Sequence, residues 1–274
     1  MTTTIELNSG AQIPQFGFGT SQLAEPTEAV STALRLGYRH VDTAQMYGNE
    51  REVGQGVRDS GVPREGIFLT TKLHNPHHDP EDARRTFGES LERMGLDYVD
   101  LFLIHWPMPF LDIDYVDTWK TLVELRDSGR AKSIGVSNFQ PEHLERIIEA
   151  TGVVPAVNQI EVHPYFANNE LREFAKSHGI VIEAWSPLGK GDELGDPAIS
   201  SIAENLGRSP AQVILRWHIQ RGDVVIPKSD REERMRQNAE VFDFELSDAD
   251  MAAIDALDKG EDARRSPHPT EMGK

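Results

Sequence analysis

Residues 67–105, with the sequence IFLTTKLHNPHHDPEDARRTFGESLERMGLDYVDLFLIH, contain one complete strand–helix–strand unit. Residues 67–72 and 98–105 are runs rich in apolar and β-branched residues, which is typical of strands covered on both faces. Between these runs, apolar residues recur on one helical face at Ala83, Phe87, Leu91 and Met94. This spacing predicts an amphipathic helix over 81–94.

The same kind of unit recurs along the chain. Comparable strand-like runs occupy 38–42, 67–72, 98–105, 133–137, 157–161, 181–185 and 224–228. The repeat is too frequent for an open sheet in a chain of this length, and residues 16–20 supply an eighth strand. We therefore predict an α/β protein, a (β/α)8 TIM barrel that occupies residues 1–274 as a single domain.

Local signals add detail to this architecture. Residues 5–13, with Asn8-Ser9-Gly10 at the centre, predict an N-terminal β-hairpin that caps the bottom of the barrel. Pro141 and Gly152 bound a predicted helix. Ser247 and Asp250 indicate a capping box at the start of the last helix, which we expect to end at Gly260.

The composition excludes several classes of protein. The 274 residues include 28 Lys and Arg against 45 Asp and Glu, which gives a formal net charge of −17. Such a chain repels phosphate backbones and anionic lipid, so we expect neither a nucleic-acid nor a membrane partner. An anionic ligand would need a local cluster of positive groups. The sequence has no cysteine, which excludes disulfides and thiolate catalysis.

The N-terminal segment and the hydropathy suggest a location. Residues 1–6 have neither a basic start nor an apolar core, so they do not indicate a signal peptide. No apolar run approaches the length of a membrane span. We expect a cytoplasmic protein and, in the absence of any interface signal, a monomer.

Polar or aromatic residues stand at the predicted carboxyl ends of the strands: Asp42, Lys72, His105, Ser137, Gln159, Trp185 and Lys228. Active sites of such barrels lie at this end. Any one of these residues could be structural, but together they predict a site.

The most specific local arrangement is DTAQMYGNE, residues 42–50, with Lys72 at the end of the neighbouring strand. An ammonium next to the Tyr47 phenol favours the phenolate, so we expect the pKa of Tyr47 to fall below its ordinary value. Asp42 would balance the charge of Lys72. Tyr47 could then protonate an oxygen near neutral pH, with His105 as a second donor.

At these residues the chain resembles the aldo-keto reductase family, and among its subgroups the bacterial 2,5-diketo-gluconate reductases. The resemblance runs in order from about residue 5 to residue 258. It rests on residues 37–44, 47–50, 71–73, 97–101, 105–107, 135–139, 158–161, 186–189 and 226–229. It implies that NADPH transfers hydride to a carbonyl carbon. Asp42, Tyr47, Lys72 and His105 would form the catalytic tetrad, with Tyr47 as the proton donor.

The resemblance also implies a set of cofactor contacts. Ser137, Asn138 and Gln159 would bind the carboxamide, Trp185 would stack on the nicotinamide, and Ser186 and Leu188 would approach the pyrophosphate. The remaining contacts would be Lys228, Ser229 and Arg234 to the 2′-phosphate and Gln237 and Asn238 near the adenine. The basic residues 228–236 are the positive cluster that an anionic ligand needs here, which favours NADPH over NADH. Alternatively, this segment is a solvated helix start neutralised by Glu232 and Glu233.

Three residues are expected to line the substrate pocket. Ser21 and His74 occupy positions where relatives usually carry aromatic residues, whereas Trp106 is retained. A pocket with fewer apolar walls is wetter and roomier. We therefore expect a keto sugar acid or a short dicarbonyl as substrate. Residues 261–274 form a polar tail that, by the resemblance, would lie near the substrate mouth.

Two other functions stay open at this point. The first is a barrel aldolase or isomerase that uses Lys72, because this fold hosts many chemistries. The second is a non-catalytic, nucleotide-sensing subunit. No metal is expected, because the histidines at 74, 77 and 78 lie in a Pro-flanked loop without a paired ligand motif.

Overall fold

The computed structural model describes residues 3–274. Its strands are β1 (Thr4–Glu6), β2 (Gln12–Pro14), β3 (Phe18–Gly19), β4 (His40–Asp42), β5 (Phe68–Leu73), β6 (Val99–Ile104), β7 (Ala131–Ser137), β8 (Val157–Glu161), β9 (Val181–Trp185) and β10 (Val224–Val225). Its α-helices are α1 (Pro26–Arg35), α2 (Glu50–Asp59), α3 (Pro80–Met94), α4 (Tyr115–Asp127), α5 (Pro141–Thr151), α6 (Asn169–Ser177), α7 (Pro197–Leu206), α8 (Pro210–Arg221), α9 (Glu232–Ala239) and α10 (Asp248–Asp255).

The strands β3 to β10 form one parallel sheet in chain order. The first and last strands meet, because Phe16 forms a parallel bridge with Val225 and the Gly19 amide donates to Pro227 O at 3.2 Å. The helices surround this barrel. The predicted (β/α)8 TIM barrel is confirmed.

Several of the predicted strands are shorter in the structure. The predicted strand 16–20 is reduced to Phe18–Gly19. The predicted strand 224–228 ends at Val225, because Pro227 cannot donate to a sheet ladder. Lys228 therefore lies in the loop beyond the last strand.

The N-terminal hairpin is present and caps the barrel bottom. Ile5 pairs with Ile13 in the antiparallel β1–β2 ladder. Leu7 and Ile13 are buried in a cluster with Phe68, Leu101, Leu103, Ala156, Val157 and Val224. The side-chain amide of Asn8 donates from Nδ2 to Pro155 O at 3.1 Å, which fixes the turn to the loop before β8.

The helix termini follow the capping signals with one exception. α5 ends at a left-handed Gly152, and Ser247 and Asp250 form the capping box before α10. However, α10 ends at Asp255, not at Gly260. The chain leaves the helix because the Lys259 amide donates to Tyr165 O and Asp258 accepts from the Gly260 amide.

Buried apolar side chains fill the space between the barrel and the helices, with Trp119 and Trp217 among the largest. None of the helices within residues 3–274 combines the length and the apolar composition that a membrane span needs. The barrel interior, by contrast, contains ionisable groups beneath the carboxyl ends of the strands. Those groups belong to the site described next.

Candidate active site

A buried ion pair lies at the carboxyl ends of β4 and β5. Lys72 Nζ is 2.5 Å from Asp42 Oδ1 and donates to Thr43 O at 2.9 Å. Gln159 Nε2, from β8, donates to the second oxygen of Asp42 at 2.8 Å. Both charged side chains are shielded from solvent, so the ammonium is held in one orientation.

Tyr47 lies above this pair in a 3-10 turn, Gln45–Tyr47, that follows β4 and ends at left-handed Gly48. Its hydroxyl is 3.4 Å from Lys72 Nζ. The His105 ring packs edge-on against the Tyr47 ring, with centroids 5.8 Å apart. The fold therefore brings the four predicted catalytic residues together, and we call Asp42, Tyr47, Lys72 and His105 the Tyr47 cluster.

The expected fall in the pKa of Tyr47 was wrong. Burial raises the pKa of Tyr47 above its ordinary value, and the opposing effect of Lys72 is smaller. The charge of Asp42 adds to the increase. Sequence spacing indicated the neighbouring ammonium correctly, but it did not indicate how deeply the phenol lies in the site. Tyr47 is consequently a protonated phenol at neutral pH.

Burial also determines the charges of the other groups. Burial and the nearby Lys72 charge lower the pKa of His105 well below its ordinary value, so the imidazole is neutral. Burial alone would lower the pKa of Lys72, but the charge of Asp42 and its hydrogen bond to the ammonium raise it above its ordinary value. Burial raises the pKa of Asp42, and Lys72 partly offsets this increase. The cluster thus holds a fixed ammonium and two neutral proton-bearing rings.

The predicted nicotinamide residues form a second group beside the Tyr47 cluster. Asn138 has a positive φ of 62° and donates from Nδ2 to His105 O at 3.0 Å. Its Oδ1 accepts from Trp185 Nε1 at 3.0 Å. Ser137 Oγ donates to Gln159 O at 2.7 Å. One hydrogen-bonded unit therefore links these side chains to the backbone of His105.

The loop after β9 has an unusual backbone. Ser186 has a positive φ of 49°, and Gly189 has one of 53°. Gly189 has a positive φ, and a Cβ atom there would also come within 2.4 Å of the buried Glu193 carboxylate, so this position favours glycine. This loop continues into a 3-10 segment, Gly189–Gly195, and the predicted contact residue Leu188 immediately precedes that segment.

The basic segment is only partly neutralised. Lys228 Nζ pairs with Asp230 at 2.9 Å, and Arg236 pairs with Glu232 at 2.9 Å. Arg234 is exposed and, within residues 3–274, pairs with no carboxylate. Ser229 and Asn238 are buried nearby, whereas Gln237 is exposed. The alternative that acidic neighbours neutralise this segment therefore holds for Lys228 and Arg236, but not for Arg234.

The three predicted pocket residues differ in exposure. Trp106 directly follows His105 and is buried, whereas Ser21 and His74 are partly exposed. The His74 amide donates to Gln45 Oε1 at 2.9 Å, which ties this residue to the turn that carries Tyr47. Within residues 3–274, no group of three or more ionisable side chains is arranged to hold a metal ion.

The C-terminal tail is anchored at the end of β8. The Glu161 carboxylate accepts from the Arg265 amide at 2.8 Å and from Ser266 Oγ at 2.6 Å. At the tail end, Lys274 Nζ lies 5.3 Å from the centroid of the Phe110 ring, which is half exposed. The tail thus runs from the barrel rim to the loop that follows Trp106.

Comparison with known proteins identifies the family of this chain. The model of the Aldo/keto reductase family matches residues 13–259. The chain belongs to this family. An aldo-keto reductase of Mycolicibacterium smegmatis is 54% identical and covers 98% of both chains. A glyoxal reductase of Bacillus subtilis is 47% identical, over 98% of this chain and 97% of that protein.

A solved structure extends the comparison to the cofactor. The present chain resembles the solved structure of a Gox0644 variant in complex with NADPH. The TM-score is 0.94, and the identity is 48% over 99% of this chain and 98% of that chain. The protein is an NADPH-dependent oxidoreductase with a TIM-barrel fold that acts on carbonyl compounds.

Sequence reasoning missed one group in the site. Glu183 lies in the middle of β9, is fully buried, and has His40 Nε2 as a neighbour at 3.5 Å. An acidic residue within the otherwise apolar run 181–185 was the available signal. Its partner could not be found from spacing, because β4 and β9 are not neighbours in the sheet.

Proposed function

We propose that this aldo-keto reductase converts an aldehyde or ketone to an alcohol, with Tyr47 as the general acid. The observation that carries the proposal is the 3.4 Å contact between the Tyr47 hydroxyl and Lys72 Nζ, with His105 across the ring. Tyr47 can donate a proton, Lys72 provides a fixed positive charge, and His105 provides a second polar ring. Together these groups can stabilise a substrate oxygen that becomes negatively charged during the reaction.

The residues present fit a nicotinamide dinucleotide. Asn138 and Trp185 are held by their mutual hydrogen bond, and Arg234 offers a positive charge that no described carboxylate neutralises. When bound, NADPH supplies the hydride that reduces the carbonyl carbon. We propose that Ser137, Asn138, Gln159 and Trp185 hold its nicotinamide, Ser186 and Leu188 its pyrophosphate, Lys228, Ser229 and Arg234 its 2′-phosphate, and Gln237 and Asn238 its adenine.

The Tyr47 cluster divides the proton transfer among its members. Tyr47 keeps its proton until negative charge develops on the substrate oxygen, because burial raises its pKa. Lys72 then stabilises the phenolate that remains, and Asp42 keeps the ammonium in position. The neutral His105 imidazole offers a second hydrogen-bond donor to the same oxygen. General-acid catalysis of this kind contributes roughly 10²- to 10⁴-fold in rate.

Two observations disfavour the alternative functions. An aldolase-type Lys72 would need a free amine, but the ammonium is buried, is paired with Asp42 and has a raised pKa. A non-catalytic sensor would have no use for the complete Tyr47 cluster. A turnover assay with NADPH and a small aldehyde tests the proposal. Consumption of NADPH together with alcohol formation supports it, whereas borohydride trapping of substrate on Lys72 without NADPH consumption would overturn it.

Arg234→Ala should weaken NADPH binding roughly 10- to 100-fold, since one charge-assisted hydrogen bond to phosphate is worth about 1.5–3 kcal/mol. NADH affinity should stay nearly constant, because NADH lacks the 2′-phosphate. Fluorescence titration with both nucleotides measures the two effects. Arg236→Ala is the matched control, since Arg236 pairs with Glu232 on the same helix. Equal weakening of both nucleotides would remove Arg234 from the phosphate site.

Small polar carbonyl compounds should be the preferred substrates. Ser21 and His74 give the pocket polar walls, and the tail 261–274 with Phe110 would border its mouth. The similarity to a glyoxal reductase supports a short dicarbonyl as the substrate. We expect kcat/KM for dicarbonyls or keto sugar acids to exceed that for a steroid ketone by at least about tenfold. A clear preference for the steroid would refute this substrate class.

A further inference from the structure

Glu183 points into the barrel beneath the Tyr47 cluster. It stands opposite Gln159 of β8 and Val224 of β10 in the sheet register. Its strand neighbours Ile182 and Ala184 pack in the layer between the barrel and the helices. Because side chains alternate along a strand, Glu183 must face the opposite way, into the interior. Its carboxyl group is fully shielded from solvent.

The surroundings of Glu183 provide little compensation for a negative charge. His40 Nε2 is 3.5 Å from Glu183 Oε1, and the same nitrogen is 3.2 Å from Thr70 Oγ1. By strict geometry neither Glu183 oxygen accepts a hydrogen bond within residues 3–274, and the nearby Gln159 amide, which donates to Asp42, offsets the effect of burial only in part. The nearby ammonium of Lys72 is already paired with Asp42 at 2.5 Å. Two carboxyl groups thus share one positive charge in a buried site.

The titratable groups that face Glu183 are His40 and Asp42 from β4, Lys72 from β5, and Tyr47 from the turn after β4. Burial raises the pKa of Glu183 to about 8, and the charge of Asp42 acts in the same direction. Burial lowers the pKa of His40 to about 3, so His40 provides no positive charge at neutral pH. A carboxyl group in this setting keeps its proton.

We propose that Glu183 is a positioning residue that controls how readily Tyr47 exchanges its proton. As a neutral acid inside the barrel, Glu183 does not compete for the ammonium of Lys72, which interacts with Asp42 and Tyr47. This inference rests on the proposed role of Tyr47. When Glu183 loses its proton, a second uncompensated negative charge faces the cluster. That charge opposes formation of the Tyr47 phenolate, because like charges disfavour each other's ionised forms.

The consequence concerns the reverse reaction, alcohol oxidation with NADP⁺. In that direction the Tyr47 phenolate must accept the proton of the alcohol. Ionised Glu183 raises the pKa of Tyr47 and delays phenolate formation to higher pH. Glu183→Gln keeps the shape of the side chain without the charge. We expect it to move the alkaline rise of the oxidation rate down by about one pH unit.

The pH profile of alcohol oxidation by wild type and Glu183→Gln provides the first test. Glu50→Gln is the matched control, because Glu50 is a buried glutamate that pairs with Arg93 outside the barrel interior. A downward shift for Glu183→Gln, with none for Glu50→Gln, supports the proposal. A folded Glu183→Gln enzyme with the wild-type profile would overturn it, because a merely structural role leaves the midpoint in place.

The wild-type protein offers a second test that depends on neither turnover nor a variant. Infrared titration of protein labelled with ¹³C-glutamate detects the carbonyl band of a protonated glutamic acid and separates it from aspartic acid. We expect this band at about pH 6, where ordinary glutamates are ionised, and its loss with a midpoint near the pKa of about 8. Complete ionisation of the glutamates at about pH 6 would refute the neutral Glu183, even if carbonyl reduction itself were established. Conversely, the band can appear in an enzyme without the proposed reductase activity, so the two failures are distinguishable.

Discussion

Tyr47→Phe should lower kcat for carbonyl reduction roughly a thousandfold, because it removes only the hydroxyl that donates the proton. The phenylalanine ring can keep the packing against His105 and the 5.0 Å contact with Lys72 Nζ. The variant should therefore fold normally. Steady-state kinetics with a small aldehyde measures the loss.

NADPH binding is the control for this variant. The residues proposed to hold the cofactor are linked to one another through Asn138, Trp185 and Ser137, and the Tyr47 hydroxyl makes none of those bonds. We expect the Kd of NADPH to change less than about threefold, which is under 1 kcal/mol. A loss of NADPH affinity as large as the loss of kcat would contradict the role of Tyr47 as proton donor.

Lys72→Met should affect both activity and stability. It leaves the Asp42 carboxylate buried with Gln159 as its side-chain donor. Breaking a buried pair on one side costs about 3–5 kcal/mol. Turnover should fall at least about a hundredfold, because no positive charge remains to stabilise the Tyr47 phenolate. Urea unfolding and steady-state kinetics measure the two effects.

The double variant Asp42→Asn, Lys72→Met separates these effects. It removes both charges and keeps an oxygen that can accept from Gln159, so most of the lost stability should return. Activity should not return, because the ammonium next to the Tyr47 hydroxyl is still missing. If the double variant regained turnover along with stability, Lys72 would be a structural residue only.

The sequence was sufficient to predict the barrel where local patterns and the fold agree. β5, α3 and β6 carry strong periodicity, and their boundaries lie within one residue of the expected ones. The pattern failed at the last strand, where apolar residues continue past Val225 but Pro227 cannot join the ladder. It also failed at the end of α10, since the chain turns at Asp258 through contacts with a distant loop.

The sequence predicted which of these residues lie together in the fold, but it did not predict their electrostatics. Residues at the ends of parallel strands must meet at one rim, so the sequence alone was sufficient to place Asp42, Lys72 and His105 together. The degree of burial cannot be obtained from spacing, which is why the direction of the Tyr47 pKa shift was wrong. Sequence spacing could not predict the role of Glu183 either, because its contact with His40 crosses the barrel interior.

A crystal structure with NADP⁺ and a substrate alcohol or carbonyl analogue is the most direct test of the central claim, that Tyr47 donates the proton beside a bound nicotinamide. We predict that the nicotinamide ring lies against Trp185 with its carboxamide on Asn138, and that the ligand oxygen is within hydrogen-bond distance of both Tyr47 Oη and His105. A nicotinamide bound away from the Tyr47 cluster, or a ligand oxygen held by other residues, would contradict the account.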